Sequence, residues 1–383
     1  MRLSARIVLL LSLLLVCSLN FAQSLDCQQS RCIAVIDAGS TGSRLHIYQY
    51  DVDETNTPIH IAEKWSKSIK PGFATIQANQ ATMDAYLTTL FSQAPNQSIP
   101  VFFYATAGMR LLPKQKQQER YHYLKNWFAT QSQWKLADSR TLTGTEEGLF
   151  GWLAINYQLG TFNSESSQPV GVMDMGGASV QIAFPVDENT VDSSDVKSIS
   201  VHGQSFKLFI KSFLGLGQTE VSHQFLNSAP CFITDYELPD GQHAKGDAYT
   251  CEKEVSPLMN TIHHVNRIIQ PMLQANTVSR WYAMGGIATL AKHKPFTFQG
   301  SQFTNESLLA QADTAVCHQQ WLEMQRQYPN DEYLFGYCLF PSYYYALMVE
   351  GYGLDPNQPI QLLNDTQETD WTIGVVIRQT PDQ

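Results

Sequence analysis

Apolar residues along this chain fall into short runs that end on polar, glycine-bearing turns. Ile33, Ala34, Val35 and Ile36 are four consecutive apolar positions, the length and type of a buried strand. A turn, DAGSTGS, follows. Beyond it Leu45 and Ile47 alternate with His46 and Tyr48, which predicts a second strand. The pattern recurs downstream: 170–173 is apolar, DMGGAS follows, and Val180, Ile182 and Phe184 alternate into another strand. VFFYATAGMRLL (101–112) runs from an apolar strand into a loop holding Thr106 and Gly108, then Arg110. TLTGTEEGLFGWLAINY (141–157) reads as a turn entering a helix, with Thr143 and Glu146 at capping-box spacing. WYAMGGIATLAKH (281–293) is a strand, a Gly285-Gly286 pair and a helical stretch. The polar stretches 163–168 and 187–195 read as loops.

Asp37-x-Gly39-Ser40 answers Asp174-x-Gly176-Gly177, so two acid-tipped glycine turns each sit between two strands. A Walker loop needs a Lys before a helix; here there is no such Lys, and a strand follows. Glycines let backbone N–H groups approach an oxyanion, and hydroxyls add donors. Two such turns predict two lobes of similar design with a cleft able to clamp a polyphosphate from both sides. The two carboxylates then face each other, and their repulsion calls for a cation between them. Mg²⁺ or Ca²⁺ held through waters fits that demand. Arg110 is a candidate phosphate contact. The capping box gives Glu146 a structural task and leaves Glu147 free to point at the cleft.

The chain has 383 residues, 43% of them hydrophobic, enough for about two domains with large cores. A formal net charge of −10 and the absence of a basic run argue against a nucleic-acid partner. Arg2 and Arg6 precede or flank an apolar run over 7–19, with small Ala22 before Gln23, so residues 1–22 read as a secretory leader. No second long apolar run follows, so the mature chain is expected to be secreted, extracellular or periplasmic, without a membrane span. Cys17 lies in the leader. The remaining six cysteines contain no Cys-x-x-Cys pair, which favours disulfides over zinc. Proximity favours Cys27–Cys32, Cys231–Cys251 and Cys317–Cys338. Sequons at Asn96, Asn305 and Asn364 are possible glycan sites.

IDAGSTGSRLHIY, FYATAGMRLL, LTGTEEGLFGWLAINY and GVMDMGGASVQIAF closely resemble, in order and spacing, the first four conserved regions of the apyrases, the nucleoside triphosphate diphosphohydrolases. Weaker likeness in KSIKPGFATI, SFLGLGQ, YCLFPSYYYALMVEGYGL and DWTIGVVI extends it over nearly the whole mature chain. The resemblance implies an α/β, two-lobed actin/hexokinase/Hsp70-like fold with a ribonuclease H-like core in each lobe. It also implies metal-dependent hydrolysis of the terminal phosphate of nucleoside tri- and diphosphates. Carried onto this chain, Glu147 is the general base, and Ser179 and Gln181 help hold the attacking water. Asp37 and Asp174 face the metal's water shell. Ser40, Thr41, Gly42 and Ser43 wrap the phosphates from one side, and Gly176, Gly177 and Ala178 from the other. Thr106 and Arg110 support that cradle, and Trp152 and Asn156 fall in the third region. Tyr337 matches a base-stacking tyrosine, with Tyr333 as helper. Thr289 stands where relatives place an aromatic, a departure that bears on base recognition. Lobe I is expected over 23–142 plus 362–383, and lobe II over 143–361. Three rivals share the glycine turns: a kinase, an exopolyphosphatase, and a non-enzymatic nucleotide-dependent binding protein. Oligomeric state is not legible.

Overall fold

The computed structural model describes residues 27, 30–95, 98–163, 167–191, 193–364 and 370–378. The leader expected over 1–22 and the sequon at Asn96 lie outside the described residues.

Two sheets carry the fold. In the first, β1 (Arg31–Ala38) is buried along all but its first residue, because strands flank it on both sides. β2 (Ser43–Val52) and β3 (Pro58–Ile69) add antiparallel; β4 (Ile99–Ala105) and β5 (Trp134–Thr141) add parallel on the other side. The spatial order is β3-β2-β1-β4-β5.

The second sheet repeats this plan. β6 (Gly171–Met175) pairs antiparallel with β7 (Ser179–Pro185), and β7 with β9 (Gln204–Leu214). β10 (Trp281–Met284) lies parallel to β6, and β12 (Ile360–Gln361) parallel to β10. β8 (Val196–Val201) and β11 (Gln302–Phe303) extend the two edges. The inner order β9-β7-β6-β10-β12 thus matches the first sheet strand for strand. Each sheet has the ribonuclease H-like order, and the pair forms the two-lobed actin/hexokinase-like architecture. Asp37 and Asp174 occupy equivalent places, near the carboxyl end of the strand that leads each sheet, where α/β sheets gather ligands.

Between the sheets lies an apolar layer. Helix Gly144–Gln158 packs on β6, β7 and β9, and helix Thr372–Ile377 on β1 and β3. The two helices press on each other closely: a Cβ at Gly374 would fall 2.3 Å from the Phe150 carbonyl oxygen. Phe150 and Trp371 stack with ring centres 6.1 Å apart. Trp152 and Asn156 are fully buried, and both anchor Val170 through its backbone: Trp152 Nε1 donates to the carbonyl, and Asn156 Oδ1 accepts from the N–H.

The three disulfides pair as proximity favoured, Cys27–Cys32, Cys231–Cys251 and Cys317–Cys338. Two expectations change. The stretch after β4 is not a loop, since Ala107–Arg110 closes a helical turn on the Thr106 carbonyl. Asn305 is only 1% exposed, shut in at the start of helix Asn305–Ala312 beside a Thr304–Ser307 capping box, so that sequon is not a surface acceptor. Asn364 is exposed. Among the described residues, no helix is long and apolar enough to cross a membrane.

Candidate active site

The β1–β2 turn presents Ser40 half-buried and Thr41 exposed. Its tight seat explains a glycine elsewhere: a Cβ at Gly72 would lie 2.0 Å from the Ser40 carbonyl oxygen. The β6–β7 turn is pinned by the chain that follows β9, because the Gln218 N–H bonds the Gly176 carbonyl and the Thr219 N–H the Gly177 carbonyl. The two turns face each other. A Cβ at Gly177 would sit 2.5 Å from Ser40 Oγ and 3.0 Å from Thr41 Cγ2, so only glycine allows this approach. Gly42 lies in the first turn and Ala178, almost fully buried, closes the second. Ser43 is fully buried and its Oγ accepts from the Tyr86 hydroxyl at 2.8 Å, so it braces the turn. Thr106 is 5% exposed; its N–H bonds the Ala38 carbonyl and ties the end of β4 to β1.

A hydrogen-bonded cluster lies beside these turns. Thr143 and Glu146 form the capping box, so the next residue, Glu147, turns inward and is 6% exposed. Arg110 donates from Nη1 to Glu147 Oε2 at 2.7 Å and from Nη2 to Ser179 Oγ at 2.8 Å. Gln181 Nε2 reaches Ser179 Oγ at 2.7 Å, Glu147 Oε2 at 3.1 Å and Ser212 Oγ at 3.1 Å. Gln181 Oε1 is buried without a partner, an acceptor suited to a water. Arg110, expected at the phosphates, is engaged instead with Glu147 and Ser179; the helical turn before it swings its guanidinium back between them.

Asp37 and Asp174 are 7% and 8% exposed. Burial, then the charge of Asp370, pushes Asp37 well above the ordinary carboxylate range, although Arg44 at 3.7 Å pulls the other way. Burial, Glu147 and Asp370 push Asp174 up to about 8. Burial also raises Glu147, against the pull of Arg110. The cleft therefore concentrates negative charge that its own cations do not balance, and Asp37 Oδ1 is buried without a partner. Such a donor set fits a hydrated divalent cation. Among the described residues no three Asp, Glu, His or Cys side chains are close enough to grip a bare ion.

The base-recognition expectation needs correcting. Tyr337 is 3% exposed, its ring packed on Phe296 and its hydroxyl donating to Asp331, so it offers no face to the cleft. Tyr333 is half-buried, with the Lys70 ammonium 5.8 Å from its ring centre and Arg44 within electrostatic reach. Thr289 lies exposed on helix Gly285–Lys292.

Three groups went unassigned by sequence reasoning: Asp370, His46 and Ser212. Asp370 opens DWTIGVVI and His46 lies in the first motif, but nothing in either segment signals that β2 and the C-terminal helix bring them together.

Paired ribonuclease H-like lobes with a carboxylate-lined cleft between glycine turns define a protein of the actin/hexokinase-like class. The chain belongs to the GDA1/CD39 (nucleoside phosphatase) family, whose model matches residues 24–383. It is an enzyme of the apyrase, or nucleoside triphosphate diphosphohydrolase, type. It is 25% identical to the nucleoside-triphosphatase ntp-1 of Caenorhabditis elegans, over 91% of this chain and 73% of that protein. It is likewise 25% identical to the probable apyrase 1 of Oryza sativa subsp. japonica, over 91% of this chain and 82% of the relative. A solved nucleoside triphosphate hydrolase from Neospora caninum superposes with a TM-score of 0.62 at 16% identity, covering 92% of each chain.

Proposed function

We propose that this enzyme removes the terminal phosphate of nucleoside tri- and diphosphates by direct attack of water, with Glu147 as general base. The observation that carries this reading is the buried cluster in which Arg110 and Gln181 both bond Glu147 Oε2 and Ser179 Oγ beside two facing glycine turns. Both bonds to Glu147 fall on Oε2, and the reading gives Oε1 to the water. Gln181 Oε1 and Ser179 Oγ hold that water in line with the terminal phosphorus. As the phosphorus–oxygen bond forms, Glu147 takes the water's proton, and the shorter nucleotide leaves. A raised Glu147 makes a better base, because catalysis is most efficient when the pKa approaches the working pH. Ser40, Thr41, Gly42, Gly176, Gly177 and Ala178 cradle the phosphates, with Ser43 and Thr106 shaping the turn from behind. Mg²⁺ or Ca²⁺, when bound, neutralises charge on the phosphate oxygens. Asp37 and Asp174 are the residues that hold its water shell.

Tyr333 takes the base-stacking part first given to Tyr337, with Thr289 leaving the base site open. The division into 23–142 plus 362–383 against 143–361 remains the proposed lobe boundary. Three disulfides and the apolar leader support export to an extracellular or periplasmic space.

The deciding experiment is phosphate release and product chromatography with ATP, ADP and inorganic polyphosphate. Stepwise orthophosphate from both nucleotides is expected. Pyrophosphate with AMP, or activity on polyphosphate alone, overturns the reading.

A further inference from the structure

The segment SFLGLGQ (212–218) starts on the last residues of β9 and runs on into the chain that pins the second glycine turn. Its far end serves that turn: the Gly215 N–H bonds the Ala178 carbonyl at 2.9 Å, and the Gln218 N–H the Gly176 carbonyl at 3.0 Å. Its first residue, Ser212, meets Gln181 instead. In the antiparallel β7–β9 ladder Ser212 lies directly opposite Gln181, and Leu214 opposite Ser179. Opposite residues of such a ladder share one face of the sheet, so register alone brings the Ser212 hydroxyl beside the Gln181 amide. Gln181 Nε2 donates to Ser212 Oγ at 3.1 Å.

Ser212 is also fixed from behind. The helix that carries Glu147 starts against it, since a Cβ at Gly144 would fall 2.3 Å from Ser212 Cβ and 2.4 Å from its Oγ. One turn further, a Cβ at Gly148 would fall 2.9 Å from Ile210 Cγ2 and 3.3 Å from Gln181 Cβ. Glycine at these two positions lets the helix sit directly on β7 and β9. The Ser212 hydroxyl is thereby shut between the helix start and the Gln181 amide.

The orientation of that amide is set by what surrounds its nitrogen. Nε2 has two hydrogens and three oxygens in reach: Ser179 Oγ at 2.7 Å, Glu147 Oε2 at 3.1 Å and Ser212 Oγ. Gln181 is 1% exposed, and its Oε1 is buried with no partner. A carboxylate oxygen only accepts, so turning the amide over would set Oε1 against Glu147 Oε2, acceptor to acceptor. Ser179 Oγ and Glu147 Oε2 each accept from Arg110 as well, so both are drawn in two directions. Ser212, held by the helix behind it, is the third point that stops the amide from turning. An acceptor left buried and unpaired lowers stability, and a bound water is what would repay it.

We propose that Ser212 is a positioning residue: by holding Nε2 it fixes the Gln181 amide and so aims Oε1 at the attacking water. This rests on the reading of Gln181 as a holder of that water. Ser212 itself touches neither water nor phosphate in this role. Loss of its hydroxyl leaves the phosphate cradle in place, so the defect belongs in turnover and not in KM.

The test is a double-mutant cycle in the full chain with Ser212→Ala, Gln181→Ala and the two combined. Steady-state kinetics on ATP and ADP at saturating Mg²⁺ are measured for each protein, with a thermal melt to show that it is folded. Ser212→Ala should lower turnover about tenfold, less than the roughly 10²-fold cost of a 1 Å misplacement, with KM kept. In the Gln181→Ala background the same change should cost less than about twofold, because nothing remains to be positioned. A merely structural serine would lower the melting temperature without this coupling. Wild-type turnover in Ser212→Ala, an equal loss in both backgrounds, or a rise in KM with turnover kept each overturns the proposal and leaves the role of Gln181 standing. Wild-type turnover in Gln181→Ala refutes the water-holding reading itself, and this proposal with it.

Discussion

Arg110 donates from Nη1 to Oε2 of Glu147 at 2.7 Å, joining the helical turn after β4 to the helix that lines the second sheet. The pair is buried, and the same guanidinium holds Ser179 and the Leu142 carbonyl. One cation thus sets the position of the proposed base and of a proposed water-holding hydroxyl.

Glu147→Gln keeps an oxygen for Arg110 and removes the base. Turnover should fall about 10²–10⁴-fold, the usual worth of general-base catalysis, with little change in melting temperature. The neighbouring Glu146→Gln is the control. Glu146 accepts from the Thr143 N–H and hydroxyl and pairs with Arg140, all on the solvent side, so its loss should cost on the order of 1 kcal/mol or less and leave turnover intact. Steady-state rates and thermal melts on both variants separate two adjacent glutamates with opposite tasks. Equal turnover in Glu147→Gln and wild type would remove Glu147 from the mechanism.

Chelation should abolish hydrolysis, with Mg²⁺ or Ca²⁺ restoring it. The companion prediction concerns stability. Glu147 and Asp370 repel both Asp37 and Asp174 in the cleft, so Asp174→Asn should raise the melting temperature measured in EDTA. The same change should lower turnover by roughly 10²-fold or more, since cation charge stabilisation is worth several kcal/mol. Metal should then stabilise wild type more than the variant. A lower melting temperature for Asp174→Asn in EDTA would show that the carboxylate is satisfied without a cation.

The leading hairpin of each sheet and both glycine turns were legible because strand periodicity and glycine punctuation are local. The capping box at Thr143 identified Glu147 for the same reason: once Glu146 is assigned to the helix end, the next residue must look elsewhere. The bonds of Arg110 to Glu147 and Ser179 were not legible, because a single helical turn, too short to show periodicity, decides where its side chain goes. Tyr337 was misplaced because a tyrosine beside a disulfide reads the same whether it faces a core or a cleft. His46 and Asp370 meet only through the return of the C-terminal helix to β2, a non-local event with no sequence period.

A second carboxylate pair lies in the helical part of the molecule. Glu252, on helix Ala248–Pro257, is 7% exposed and has Oε1 without a partner. Burial, then the hydrogen bond and charge of Glu350, push it up to about 7, against Lys253 on the same helix. Glu350 accepts from the Ser256 hydroxyl, and Tyr345 is the other titratable neighbour within reach. With a folded pKa above the unfolded value of 4.5, the pair's stabilisation is complete below pH 4.5 and is lost as pH rises through about 7. Glu252→Gln removes this dependence. Its melting temperature should exceed that of wild type at pH 8 and approach it at pH 5. A difference that is constant from pH 5 to pH 8 would show that the two carboxyls do not share a proton.

Tyr333 and Tyr337 allow the last prediction to discriminate a binding role from a packing role on residues four apart. Tyr337 is embedded between Phe296 and Asp331, so Tyr337→Ala should act as a core truncation, costing about 3–5 kcal/mol of stability. Tyr333 has Lys70 over one side of its ring, and Lys70 pairs with Glu332. Base stacking on this half-buried ring is the role proposed for Tyr333. Stacking worth roughly 1–3 kcal/mol corresponds to about 5- to 150-fold in affinity. Tyr333→Ala should therefore raise KM by an amount in that range, with little change in melting temperature or in turnover at saturation. The rise should be similar for ATP, GTP and UTP, because every base offers a face while no base edge is read. ADP should follow ATP: with the shorter chain drawn to the same Glu147, the base slides on the ring at small cost, whereas edge-specific hydrogen bonds would break. Kinetics with six nucleotides, the tri- and diphosphates of A, G and U, check this directly. A rise confined to one base would mean that a polar edge contact, not the Tyr333 face, sets recognition.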